Sequence, residues 1–576
     1  MALFSRLRSF FSKKQQFHLP FTPNKKETYS LAMLNITQFL GVINDNLFKL
    51  VMAYFLIDTL GKEFASPVLS ATGAIYVIPF LLFSSSAGIV ADRFSKQKLL
   101  VIMKIVEMGI MVIAFFAFVQ ASVIGCYVLL FLLSTHSAMF GPSKYGIIPE
   151  LVPPEEISRA NGLITSFTYL AIIIGTFLAS FLTEITDRRF TLIIIACFAV
   201  ALGGFCSSLG IKRTPAQGSQ KKMNLLFIRD IFVTLRSSIE IRHLLPAIFG
   251  SAFFLFIGGF TQLNIIPYAM QSLNLSEIAG GYLFLVTAVG IAFGSYCAGK
   301  ASKKRIELGL SCIAGVMMTI FFILIGLTLG GLTTVIISLF LIGFFGGIFI
   351  VPFDTFIQVN SPDNTRGQMI GAGNFLSFLG VLIASVLIYV FPKYLHLSPA
   401  GGFTVVGLIT LAFTIVQMFL LSDLFLPFIS RLFLQPFYRF QPLDTEKMAK
   451  DTNTILILEK ATWKNAFLLL GAMPNVHLII PTTHPKCASW FHRLFYSFHV
   501  VPSETRMEDL IRSAQEILER GDTPCFFLAG TFPKEHIPIP NAFFDFFQKK
   551  SFQFLFVTVE KDPLTKKWTM HLSNEP

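Results

Sequence analysis

Four polar residues, Asn44, Asp45, Asn46 and Lys49, interrupt an otherwise apolar run from about Leu31 to Ile57. A carboxylate at the centre of a membrane helix costs about 2.5–3.5 kcal/mol on insertion scales, so a chain that keeps one points it into a protein interior or a water-filled path. Two uses fit these residue types: a polar lock between neighbouring helices, or a site for a substrate or ion. A second constellation, Ala91-Asp92-Arg93-Phe-Ser95-Lys96-Gln-Lys98, is a short charged loop between two apolar runs, preceded by Gly88. Its chemistry is electrostatic: a helix-capping carboxylate, with cations held on one side of a membrane. A third is Lys144, in Gly141-Pro-Ser-Lys-Tyr-Gly146. There Pro142 is expected to break the end of a helix and leave the Lys144 amine at membrane-exit depth. At that depth it can anchor at the interface, meet a lipid phosphate or pair with Asp45.

The elements that hold these groups are membrane spans. The chain has 576 residues, 53% of them hydrophobic and only 14% charged, with a mean hydropathy of +0.67. These values exclude an ordinary soluble protein and describe a polytopic membrane protein. The net charge of +13 then reads as Lys and Arg kept at cytoplasmic helix ends, not as a nucleic-acid surface. Seven Cys without a CxxC pair read as small core residues, so neither a disulfide framework nor a metal site is expected, and no cofactor.

Spanning helices need about 20 apolar residues, and runs of that kind lie near 31–57, 68–90, 99–119, 122–141, 160–184 and 190–211, then near 243–270, 278–299, 307–329, 332–358, 367–391 and 402–426. The second six copy the rhythm of the first: Lys300-Ala-Ser-Lys-Lys-Arg305 answers the charged loop, and Val351-Pro-Phe-Asp-Thr355 answers Gly141–Gly146. The expected organisation is a basic cytoplasmic lead over 1–28, a six-helix half over 29–211, a basic cytoplasmic linker over 212–242 with an interfacial helix near 224–240, and a second six-helix half over 243–426. A Pro- and aromatic-rich connector follows over 427–450, and then a domain over 451–576. That domain alternates short apolar strands (Ile455–Leu458, Val476–Ile480, Cys525–Leu528, Phe552–Val559) with a helix over Thr505–Glu519, a soluble α/β pattern.

Gly88-Ile-Val-Ala-Asp92-Arg93-Phe-Ser-Lys96-Gln-Lys98 resembles the loop motif of the major facilitator superfamily, except that Ser95 stands where that motif often has a second Gly. The resemblance implies two six-helix halves in parallel repeat. It also implies that Gly88 allows close helix approach while Asp92, Arg93 and Lys96 latch one conformational state. Asn44-Asp-Asn46-x-x-Lys49 and Phe140-Gly-Pro-Ser-Lys-Tyr-Gly-Ile-Ile-Pro149, running on to Arg159-Ala-Asn161, resemble the bacterial lysophospholipid transporter family over roughly residues 30–425. This implies a site in which Asp45 and Lys49 face a central cavity, Asn44 and Asn46 line it, and Lys144 meets the lipid phosphate. The second half departs from the family: where a basic residue is expected in the seventh span, Gln262 stands, and Gln262 and Asn264 supply uncharged hydrogen-bonding groups near the midplane.

The final domain resembles the glycerolipid acyltransferase family. There a His, oriented by an Asp in the string His-x-Ser-Trp-x-Asp, acts as general base so that an acceptor hydroxyl attacks an acyl thioester. Here the string is Lys460-Ala-Thr462-Trp463-Lys-Asn465, and the later block Phe-Pro-Glu-Gly-Thr-Arg is Phe527-Leu-Ala529-Gly530-Thr531-Phe532. The base, its orienting acid and the acceptor-holding residues are replaced at Lys460, Asn465, Ala529 and Phe532. The resemblance thus implies a retained shape without the reaction, with His477, His484, His492 and His499 showing no metal-ligand spacing.

The combined expectation is a multi-pass protein of the bacterial inner membrane, both termini cytoplasmic, that moves lysophospholipids for re-acylation on the cytoplasmic side. Its partners would be lysophospholipid, membrane lipid, and a separate active acyltransferase or acyl carrier protein system, with no nucleic acid. Two alternatives stay open: a major facilitator carrier of another amphiphile or drug, and a membrane-anchored acyltransferase.

Overall fold

The computed structural model describes residues 25–221, 227–302, 306–327, 331–434, 454–461, 463–472, 476–482, 498–502, 507–519, 523–530, 553–561 and 568–573. Twelve of the described helices are long and apolar enough to cross a membrane. They are α1 (Lys25–Leu60), α2 (Ala65–Arg93), α3 (Lys96–Val119), α4 (Val123–Gly146), α5 (Pro154–Ile185) and α6 (Phe190–Leu209), then α7 (Leu244–Ser272), α8 (Glu277–Ala301), α9 (Leu308–Gly326), α10 (Leu332–Asn360), α11 (Arg366–Tyr394) and α12 (Pro399–Leu420). The turns between them are short and capped: Ser95, Ser122 and Ser276 accept from Lys98, Gly125 and Ala279 amides at the starts of α3, α4 and α8. A serine hydroxyl at that position satisfies one of the orphan amides of a helix start. Large apolar side chains such as Ile113, Phe116, Ile124, Phe177 and Phe293 stand exposed on these helices, the surface expected of spans that face lipid tails.

The chain divides into two compact units: Met1–Ile306 with Ile313–Ala412, and Glu307–Cys312 with Phe413–Pro576. In the first, the amphipathic linker helix Phe227–Ser238 lies at the end of the bundle that also carries the α2–α3 turn. We call this the linker end. In the first half, apolar clusters occupy both ends of α1. Near the linker end Leu34 packs with Leu100, Ile148, Ile157 and Ile164, and beyond Lys49 the residues Phe48, Val51, Met52 and Leu56 pack with Met111, Ala114, Leu130 and Ile194.

In the second unit, α13 (Ser422–Leu434), α14 (Trp463–Ala472) and α15 (Met507–Glu519) accompany six strands: β1 (Thr454–Ala461), β2 (Val476–Thr482), β3 (Phe498–Pro502), β4 (Thr523–Gly530), β5 (Gln553–Lys561) and β6 (Trp568–Ser573). The strand order is β3-β2-β4-β1-β5-β6, parallel throughout except for the β5–β6 pair. Ile455, Leu456, Ile457 and Leu458 of central β1 are all fully buried, as a parallel strand covered on both faces requires. α13 is fixed within this unit by Arg431, which pairs with Glu307 at 2.8 Å, and by Ser430, whose hydroxyl donates to the Phe467 carbonyl of α14.

Several expectations need correction. Pro142 does not end the fourth span: α4 runs through it to Gly146. Only the Ala138 carbonyl loses its helical donor, a loss that a membrane bundle tolerates. The twelfth span stops at Leu420, and residues 422–434, read in part as connector, form α13 with Pro427 inside it. Helix α1 starts at Lys25, inside the stretch assigned to the lead. β3 and β6 were not anticipated as strands. Residues 1–24 of the lead, 435–450 of the connector and 451–453 of the following domain lie outside the described residues.

Candidate functional site

Four residues of one turn of α1 point in different directions. Asp45 and Lys49, four apart, share a face and are partly exposed, as is Asn46. Asp45 Oδ2 accepts from Ser137 Oγ of α4 at 2.7 Å. Lys49 Nζ reaches Asn46 Oδ1 at 3.5 Å and lies 4.8 Å from the ring centroid of Tyr76 on α2, close enough for a cation–π attraction. Asn44, about 100° further round the helix, is fully buried. It does not line a cavity as expected but donates Nδ2 to Glu107 Oε1 of α3 at 2.7 Å.

Glu107 opens onto a charged cluster that the sequence reading passed over. Its second oxygen pairs with Lys104 Nζ at 2.5 Å, and His136 Nε2 of α4 stands 3.8 Å away. Lys104 and Glu107 are almost completely buried. Room for the Lys104 ammonium comes from glycine: a Cβ on Gly41 would stand 2.5 Å from Nζ, and one on Gly204 3.4 Å. The signal was present in the sequence as two opposite charges three apart within an apolar helix, Lys104-Ile-Val-Glu107, the spacing at which helical side chains meet.

Lys144 lies in the last turn of α4, and its side chain is buried. Its Nζ lies 4.4 Å from the ring of Tyr145 and forms no hydrogen bond or ion pair among the described residues. Asp45 of the first half and Asp354 of the second both act on it electrostatically, so the expected Asp45–Lys144 pair is a field across a gap, not a contact. In the second half Gln262 is exposed. Asn264, expected beside it in the site, is instead buried and donates to the Pro399 carbonyl at the start of α12 at 2.8 Å, a tie between helices. The carboxylate that the second half does bring is Asp354 of α10, accepting from Ser251 Oγ of α7 at 2.8 Å.

The charged loop splits into two tasks. Asp92, fully buried, crosses to the other half: its oxygens accept from the Gly367 amide at 2.6 Å, the Gln368 amide at 2.9 Å and Gln368 Nε2 at 3.1 Å. These amides begin α11, whose own N-cap residue Thr365 makes no side-chain cap, so Asp92 caps a helix of the opposite half with a full negative charge. Gly88 makes this approach possible, since a Cβ there would sit 2.5 Å from the Gly367 carbonyl. Arg93 and Lys96, expected in the same latch, do not bridge the halves: Arg93 Nη2 donates to the Lys221 carbonyl of the linker at 2.5 Å and Lys96 pairs with Glu150 at 2.5 Å. A second junction lies between α5 and α10, where Asn161 and Gln358 exchange amide bonds of 2.9 and 2.8 Å. Towards mid-bundle, Phe80 stacks on Phe378 at 3.9 Å. The halves therefore meet from the linker end to mid-bundle.

In the second unit the two replaced blocks come together. Lys460 stands opposite Ala529 and Ala461 opposite Gly530 on adjacent parallel strands β1 and β4. Both pairs lie at the carboxyl ends of these strands, the ends at which open α/β sheets hold ligands. Asn465 is buried in the first turn of α14. Thr462, Thr531, Phe532, His484 and His492 lie outside the described residues. Among the described residues no three His, Cys, Asp or Glu side chains are grouped to hold a metal.

The Major Facilitator Superfamily matches residues 34–385. A lysophospholipid transporter, LplT, of Cronobacter sakazakii is 28% identical over 349 residues, covering 59% of this chain and 82% of that protein. In fold, the chain is similar to the human organic anion transporter MFSD10 (TM-score 0.58, 13% identity, 68% of this chain and 99% of that one). It is also similar to the Escherichia coli fucose:proton symporter FucP (TM-score 0.56, 14% identity, 69% and 99%).

Proposed function

The chain belongs to the Major Facilitator Superfamily, and we propose that it moves lysophospholipids across a bacterial inner membrane, delivering them to the cytoplasmic face for re-acylation. The observation that carries this reading is the α1 face of Asp45 and Lys49 turned towards α4 and α2, in a chain of which 59% is matched by a protein named a lysophospholipid transporter. In this reading the linker end is cytoplasmic, as its basic residues favour, and so are both termini. The halves then meet on the cytoplasmic side, with the cavity open to the other. Lys144, held without a partner, receives the lipid phosphate; Asp45 and Lys49 set the field around it; Gln262 is an uncharged wall. Opening towards the cytoplasm requires Asp92 to release the start of α11 as the halves rock about the site.

The α/β unit is read as an acyltransferase-shaped domain without the reaction. Support comes from the register that sets Lys460 against Ala529 where the family's His and Glu would meet. The reaction needs an imidazole general base, and the chain has a lysine in its place. Its remaining role is to bind lipid headgroups or a separate active acyltransferase beside the transporter.

The test is uptake of labelled lysophospholipid by proteoliposomes holding the full chain. Uptake by wild type that falls at least tenfold in Asp45→Asn supports the reading. Wild-type protein that takes up no lysophospholipid removes it.

A further inference from the structure

The linker joins the halves as a strap in two parts. Residues 212–221 run across the linker end of the first half. The Lys212 amide donates to Ser30 Oγ of α1 at 3.1 Å, and the Gln97 amide of α3 to Thr214 Oγ at 3.4 Å. Gln217 Nε2 donates to Glu150 Oε1 at 3.3 Å, and the Ser219 amide to the Asp92 carbonyl at 3.2 Å. The linker helix Phe227–Ser238 then packs on α2 of the first half and on α7 and α11 of the second. It lies on the seam that Asp92 closes.

One contact fixes the depth of this helix. The Phe227 ring stands 6.4 Å from that of Phe375, which lies well inside α11, about 13 Å along the axis from its first residue Arg366. With its 29 residues, α11 is about 43 Å long, against a hydrocarbon core of about 30 Å. With the excess shared between its ends, the first turn of the linker helix reaches the boundary between headgroups and acyl chains. Interfacial helices lie at that depth.

The two faces of the helix differ in kind. Asp230, Ile231, Thr234 and Ser238 are buried against the bundle. Ile228 and Phe232, four residues apart, are 64% and 67% exposed, and Val233 is exposed beside them. Arg229 and Arg236, seven apart, share that outer side and are exposed too. The one acid of the helix, Asp230, is turned inwards, so the outer face carries two cations and no anion. Large apolar side chains rimmed by charge mark a surface that something covers, and here the charge selects the cover. Guanidinium groups at interfacial depth match anionic headgroups, while the apolar side chains between them match the upper acyl chain. We propose that this face binds anionic phospholipid of the surrounding leaflet, Arg229 and Arg236 taking the headgroups, and that lipid held there keeps the linker helix on the seam and favours the closed linker end. The proposal rests on the superfamily fold in a membrane and not on which substrate is carried, so its test does not use uptake.

The experiment places a nitroxide on the outer face by Val233→Cys, in the full chain with its other cysteines replaced by serine. The protein is held in vesicles of phosphatidylcholine, with and without about one-third phosphatidylglycerol. Access of an aqueous nickel chelate to the label is expected to fall about threefold when the anionic lipid is present. The pair Arg229→Gln with Arg236→Gln should abolish that difference, and the pair Arg229→Lys with Arg236→Lys should keep most of it. Where the glutamine pair does not fold, each single glutamine variant should show a reduced difference. Spin-label distances between the linker ends of α2 and α11 should shift towards the closed state with anionic lipid in wild type, and not in the glutamine pair. A label open to the chelate in both vesicles overturns the proposal. So does equal shielding in both that survives the glutamine pair, since a second copy or another surface of this chain then covers the face. Shielding that follows the anionic lipid while the α2–α11 distances stay fixed overturns the control of the seam.

Discussion

The two halves share a helix pattern but not a polar content. In the first, Asp45 and Lys49 of α1, Lys104 and Glu107 of α3, and His136 and Lys144 of α4 all lie within spans. In the second, the described spans bring Asp354 of α10 as their interior charge, and the tie at Asn264 is neutral. The difference teaches that the repeat supplies the scaffold twice while the chemistry is built mainly once. The first half holds the field that a polar substrate needs, and the second offers a wall with a single counter-charge. The seams between halves differ in the same sense. The α2–α11 seam is closed by a carboxylate on helix amides, whereas at the α5–α8 seam a Cβ on Gly162 would stand 2.8 Å from Gly299 Cα, a contact made by small residues alone.

The largest effect expected from breaking this asymmetry is on stability. Glu107→Gln leaves the Lys104 ammonium buried without its counter-charge, a change that costs about 3–5 kcal/mol in buried pairs. The variant should accumulate poorly and unfold at clearly lower temperature in detergent. The double variant Lys104→Met with Glu107→Gln should recover much of the loss.

The seam comes next. Asp92→Asn removes the charge that caps α11, and hydrogen bonds to charged groups contribute about 1.5–3 kcal/mol. Spin-label distances across the linker ends of α2 and α11 should lengthen or broaden. An alanine at Gly162 should disturb the other seam sterically without that sensitivity to charge.

The smallest effect is expected in the α/β unit. Full-length protein should transfer acyl groups from a thioester to lysophospholipid no faster than a protein-free control, and Lys460→Ala should change nothing. Robust transfer abolished by Lys460→Ala would mean a rebuilt active site.

The sequence exposes the twelve helices because each is an uninterrupted apolar run, and it exposes the α1 site because four polar residues stand out in one. It hides what depends on rotation and partner. Asn44 and Asp45 are neighbours in sequence, yet one faces α3 and the other α4, which no spacing along a single helix decides. Lys104 and Glu107 neutralise each other three residues apart, so the pair contributes little to net charge and hides behind the basic loop at Lys96–Lys98. Pro142 reads as a break by its missing donor, but in a membrane bundle the helix continues through it. β3 and β6 are the two edge strands and are short, and so carry shorter apolar runs than central β1.

The claim that the chemistry resides mainly in the first half is tested most directly by one paired measurement. Uptake of labelled lysophospholipid into proteoliposomes is compared for Asp45→Asn and Gln262→Ala against wild type. The account predicts a loss of at least tenfold for Asp45→Asn and a change within about threefold for Gln262→Ala, tenfold corresponding to about 1.4 kcal/mol. Equal losses, or a greater loss for Gln262→Ala, would contradict it.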